Sequence, residues 1–107
     1  MYQGKYFVFV CCGAGKLTSF MAAEGLKKGL KAIGVDLKKV KIMHGMMHDI
    51  GRHEKNIDIL VSSTNYKGIH PFPVHNGISF VTGDEKGQQE LIASVAGQLR
   101  EKMEKGE

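Results

Sequence analysis

Two adjacent cysteines, Cys11 and Cys12, precede a run of small and hydroxyl residues, Gly13-Ala14-Gly15-Lys16-Leu17-Thr18-Ser19. A thiol at the head of such a loop can be a nucleophile. Small residues let successive backbone N–H groups converge on an anion, and a helix beginning there adds partial positive charge. The same field lowers the pKa of a central thiol and favours the thiolate. A thiolate inside an anion cradle can attack phosphorus and hold the resulting phosphocysteine. Cys12 is the candidate nucleophile, Gly13 to Ser19 the candidate phosphate loop, and Lys16, Thr18 and Ser19 possible side-chain donors. Cys11 completes an apolar run and reads as a buried small hydrophobe.

Other chemistries fit less well. A Walker A loop requires Gly, four residues, then Gly-Lys-[Ser/Thr]. Here Gly15-Lys16 is preceded by Val10 at the first glycine position and followed by Leu17. A Cys-dependent phosphatase or arsenate-reductase-like loop places an arginine fork six residues after the cysteine, where this chain has Thr18, and no Asp-Pro pair offers a general acid. A vicinal-thiol redox sensor would need Cys11 exposed. His44 and His48 would share a helix face as zinc ligands can, but no Glu follows His44; surface histidines are the simpler reading, and no metal site is expected. His70 and His75 flank a proline-containing loop that could approach Cys12, and Met43, Met46 and Met47 read as packing residues.

The elements that must position Cys12 follow from the pattern around it. Lys5 to Cys11 is a nearly continuous apolar run, suited to a central parallel strand. A helix is expected from Thr18 or Ser19 as N-cap, with Met21, Ala22, Leu26, Leu30 and Ile33 inward, Lys27, Lys28 and Lys31 outward, and Gly34 ending it. Lys38 to Met43 predicts an edge strand with Val40 and Ile42 on one face. A short helix falls somewhere in 45–55, and Ile57 to Ser62 is a third strand. Pro73 to His75 is a short fourth, and 76–87 is turn-rich around Ile78, Phe80 and Val81. A final helix runs from Asp84 or Glu85 to Lys105, with Leu91, Ile92, Val95, Leu99 and Met103 inward. Such alternation gives a parallel sheet with helices on both faces and the first strand inside it.

Composition agrees. The chain has 107 residues, 42% hydrophobic and 24% charged, the balance of one globular domain. No apolar run approaches the roughly 20 residues of a membrane span, and no signal-peptide pattern opens the chain. Adjacent cysteines do not readily form an ordinary disulfide, which fits a reducing cytoplasm. The net charge of +4 is concentrated at Lys27, Lys28, Lys31, Lys38, Lys39 and Lys41. A solvated lysine face is the simplest reading of that excess. Too few aromatics accompany it for nucleic-acid stacking.

With these residues in view, the sequence resembles an enzyme IIB component of the bacterial sugar phosphotransferase system, most of all the galactitol type. The resemblance rests on Val10-Cys11-Cys12-Gly13-Ala14-Gly15, Thr18-Ser19 and Met21-Ala22-Ala23-Glu24. It continues through Ile59-Leu60-Val61-Ser62-Ser63-Thr64, then Pro73-Val74, Gly77, Phe80 and Thr82-Gly83. Ser79 stands in place of the usual Pro, and Asp84-Glu85 in place of an apolar-Gly pair. The resemblance implies a phosphoryl group taken by Cys12 from a phosphohistidine of enzyme IIA and passed to a sugar or sugar alcohol bound by the membrane component, enzyme IIC. Ser63 and Thr64 would support the loop. No cofactor, nucleic acid or direct membrane insertion is implied, and the protein would sit in the cytoplasm, peripheral to the inner membrane through IIC. The combined expectation is one IIB domain over residues 1–107 with a three-layer α/β/α fold. Its four-stranded, mainly parallel sheet has order 2-1-3-4, with a phosphatase-like Cys loop after the first strand.

Overall fold

The computed structural model describes residues 5–11, 16–46, 49–62 and 73–104, with backbone alone at 16–18 and 81. The elements are β1 (Tyr6–Cys11), α1 (Lys16–Ala32), a 3-10 turn (Leu37–Lys39), β2 (Val40–Gly45), α2 (Ile50–His53), β3 (Ile59–Ser62), β4 (Val74–Asn76), α3 (Ile78–Thr82) and α4 (Glu85–Glu104). The sheet order is β2-β1-β3-β4, and every pairing is parallel. This is the expected three-layer α/β/α arrangement, with β1 interior and β2 at an edge.

Every residue of β1 is buried, as a strand covered on both faces requires. Alternation divides it between two cores. Tyr6, Val8 and Val10 join Ile59 and Val61 under α1 and α4, where Leu26, Leu30, Val95 and Leu99 are fully buried. Phe7, Phe9 and Cys11 face the other way, onto Ile50, Ile57 and Leu60. His53 of α2 lies over both phenylalanines, its ring centroid 5.7 Å from that of Phe7 and 5.5 Å from that of Phe9. Asp58 secures the start of β1. Its carboxylate accepts from the Phe7 N–H at 2.7 Å, and its own N–H donates to the Phe7 carbonyl.

Several elements differ from the pattern-based reading. α1 begins at Lys16, ahead of the expected caps Thr18 and Ser19, because Lys and Leu are good helix formers. Its inward stripe is Ala22, Ala23, Leu26 and Leu30, while Met21 is 62% and Ile33 43% exposed. At about 100° per residue Met21 lies almost opposite the centre of that stripe, on the solvent face. β2 begins at Val40, not Lys38, since Asp36 accepts from the Lys38 N–H and turns 37–39 into a 3-10 helix. Segment 78–82 is a short helix rather than a turn, bounded by Gly77 and by Gly83 at φ +80°. Its β-branched residues are weak helix formers, so packing of Phe80 against Gly25 stands in for propensity. Asp84 opens α4 by accepting from the Gly87 N–H, and Leu91, Val95 and Leu99 point inward as expected. Among the described residues no helix is long and apolar enough to cross a membrane.

Candidate functional site

All four strands end level. In register, Gly45, Cys11, Ser62 and Asn76 form one row at the C-terminal edge of the sheet, and each is the last residue of its strand. Ligands of open α/β sheets bind outside this edge. Cys11 is fully buried among Phe7, Phe9 and Ile50, as its place in the apolar run predicted. A buried Cys11 removes the exposed second thiol that a vicinal-thiol sensor requires. Cys12, Gly13, Ala14, Gly15, Ser63 and Thr64 lie outside the described residues. For Lys16, Leu17 and Thr18 only the backbone is described, as the first residues of α1.

Ser19 is the member of the expected loop whose side chain is described. It is fully buried, with Oγ 3.4 Å from His44 Nδ1. The His44 ring also meets Phe20 edge-on, with centroids 5.3 Å apart. Thus α1 enters the structure against the end of β2, and Ser19, Phe20 and His44 form a small cluster beside the row of strand ends. Sequence reading missed this cluster. It ended β2 at Met43 and weighed His44 only as a surface histidine or as a partner of His48, should a helix bring the two to one face. His44 is in fact a strand residue level with Val10, so the shared helix face does not exist. His48 and His70 lie outside the described residues. His53 is half-buried on the phenylalanines rather than on the surface.

The opposite end of the row is tied down by backbone and side-chain hydrogen bonds. The Gly77 N–H donates to the Ser62 carbonyl at 2.8 Å, and the Asn76 side chain accepts from the Ile78 N–H at 2.9 Å. His75 Nε2 pairs with Gln98 Oε1 of α4 at 2.7 Å, so its ring is held by that helix. Beyond β2, Asp49 accepts from the Met46 N–H at 3.0 Å, and a side chain at Gly45 would crowd both Asp49 and Phe9.

The electrostatics of the site come from α1. Its 17 residues carry no acid in the first turn and a base, Lys31, in the last. The first N–H groups of a helix have no intrahelical partner and carry partial positive charge. An anion lying between the end of β1 and the start of α1 would meet that charge with no carboxylate from the first turn competing for it.

A four-stranded parallel sheet between helices defines the class of open α/β proteins whose ligands bind outside the C-terminal edge of the sheet. A family profile narrows the class: that of "PTS system, Lactose/Cellobiose specific IIB subunit" matches residues 7–93, from β1 into α4. The chain belongs to this family of phosphotransferase-system IIB subunits. Membership carries a phosphocarrier role in sugar uptake, sugar phosphotransferase activity in general, and partnership with IIA and IIC components. No curated protein matches the chain in sequence comparison.

Proposed function

We propose that the chain is a single IIB domain that carries the phosphoryl group on Cys12. The observation that supports this most is the level row of strand ends. Cys11 and Ser62 are register partners, and Cys12 and Ser63 are the next residues of the two adjacent strands' chains. A nucleophile one residue past the buried end of the central strand, four residues before a helix with no acid in its first turn, suits an anionic intermediate.

The Cys12 thiolate attacks the phosphorus of a phosphohistidine on IIA, forming an S–P bond as the N–P bond breaks. A hydroxyl of the sugar held by IIC then attacks the same phosphorus. The O–P bond forms, the S–P bond breaks, and the thiolate is regenerated. Two in-line displacements replace one transfer between distant partners. Backbone N–H groups of Gly13 to Ser19 hold the equatorial oxygens, and Ser63 and Thr64 brace the loop. With Thr18 where a phosphatase has arginine, attack of water is poorly supported, which suits a carrier. The work takes place at the cytoplasmic face of the inner membrane, where IIC resides.

Galactitol is the first substrate to test, on the strength of Pro73-Val74, Gly77, Phe80 and Thr82-Gly83. The family description names lactose and cellobiose, so both belong in the same assay. Membranes carrying IIC, supplied with IIA and the general phosphorelay, should phosphorylate sugar when the wild-type chain is added and not with Cys12→Ser. Turnover with Cys12→Ser equal to wild type would overturn the assignment.

A further inference from the structure

The positive charge of the chain is segregated. Residues 1–45 hold eight lysines and two acids, whereas the remainder holds seven basic residues and nine acids. The fold gathers six of these eight lysines around the free edge at β2 and the C-terminal half of α1. Lys27 and Lys31, one helical turn apart, are exposed on α1; Lys38 and Lys39 are exposed in the 3-10 turn; Lys41 is exposed on the edge strand β2, and Lys5 precedes β1. Two shallow depressions meet at Leu37. One is lined by Lys5, Lys27 and Lys41, the other by Lys31 and Lys38. Among the described residues, the acids in this part of the chain are already engaged. Glu24 lies 3.6 Å from Lys27, and Asp36 accepts from the Lys38 N–H.

We infer that this face docks on an anionic lipid surface. Its chemistry favours a bilayer over other polyanions. Among the described residues the two depressions are lined by lysines and no arginine, and the nearby Arg100 is engaged with the Ile33 carbonyl at 2.7 Å, so the face offers mobile point charges rather than the planar forks that read phosphodiesters or carboxylates two at a time. Among the described residues it presents no aromatic side chain for stacking on bases or for anchoring in a protein pocket. A diffuse layer of anionic headgroups asks only for clustered charge. The family works with a IIC component, which brings the chain to a membrane. Lys41 lies four strand residues from Gly45 at the other end of β2, about 13 Å away, so docking leaves the row of strand ends open to partners. The inference does not involve Cys12, so it and the phosphocysteine assignment can fail separately.

The test is co-sedimentation of the full chain with phosphatidylcholine vesicles, with and without phosphatidylglycerol, at low and high salt. Binding should require phosphatidylglycerol and fall with salt. Each neutralised lysine should lower the partition about fivefold, so Lys27→Gln/Lys31→Gln/Lys41→Gln should lose about a hundredfold. The matching triple arginine variant should bind as wild type does, as should Lys55→Gln/Lys86→Gln on other elements. Equal sedimentation with both vesicle types would overturn the inference, as would equal loss in the Lys55/Lys86 variant. So would tighter binding to duplex DNA than to phosphatidylglycerol vesicles at the same salt.

Discussion

At its C-terminal end α1 closes on itself. The Val35 N–H donates to the Leu30 carbonyl at 3.0 Å and the Gly34 N–H to the Lys31 carbonyl at 3.2 Å, with Gly34 at φ +90°. This is a Schellman closure, and Val35 and Leu30 share one core, as that motif favours. At its N-terminal end the helix meets other elements instead. Ser19 and Phe20 lie against His44 of the edge strand, and the first turn holds no acid. One end is completed by the helix's own carbonyls and holds the fold together. The other leaves its positive pole at the edge of the sheet where a ligand would bind. Substitutions toward the two ends should therefore separate stability from phosphoryl transfer.

The largest loss of stability is expected from Leu30→Ala, which removes a fully buried side chain at the closure itself. It should cost about 2–5 kcal/mol, read as a lower urea midpoint, while the folded fraction still accepts a phosphoryl group. Gly34→Ala should cost about 1–2 kcal/mol. Nothing lies within 4 Å of a Cβ there, so the cost is that of the left-handed backbone alone. An unchanged midpoint would mean that the closure is not maintained in solution. Gly29→Ala is the finest probe. A methyl group there would collide with Ile92 of α4. Overpacking of about 1–3 kcal/mol opposes a helix-propensity gain of about 0.5–1 kcal/mol, for a net loss near 1 kcal/mol. Adding Ile92→Ala should remove the collision, so the double variant should be more stable than the sum of its parts predicts. Simple additivity would contradict the close packing of α1 on α4.

The parts legible in the sequence were those with strong periodicity. The buried run Tyr6–Cys11, the stripe Leu91–Val95–Leu99 and the glycine stop at Gly34 all appear where the pattern put them. So does the sheet order. Short elements that depend on tertiary contact were not legible. Helix α3 is held by Phe80 packing on Gly25, a contact between residues 55 positions apart in the chain. His44 was misplaced because β2 stays paired with β1 past Met43, through Val10 and Cys11, which shifts the strand's end to Gly45. That shift carries His44 to Ser19, a pairing that no local pattern signals. For the site itself, the sequence named Cys12 and its loop by residue type, and the structure contributes the frame at either side: a buried Cys11 and the start of α1.

The central claim is tested most directly by intact mass after incubation with IIA and the phosphoenolpyruvate-driven relay, on wild type, Cys11→Ala and Cys12→Ser. Wild type and Cys11→Ala should each gain one phosphoryl group, about 80 Da, and Cys12→Ser should gain none. A gain that persists in Cys12→Ser, or one that vanishes in a folded Cys11→Ala, would contradict the account.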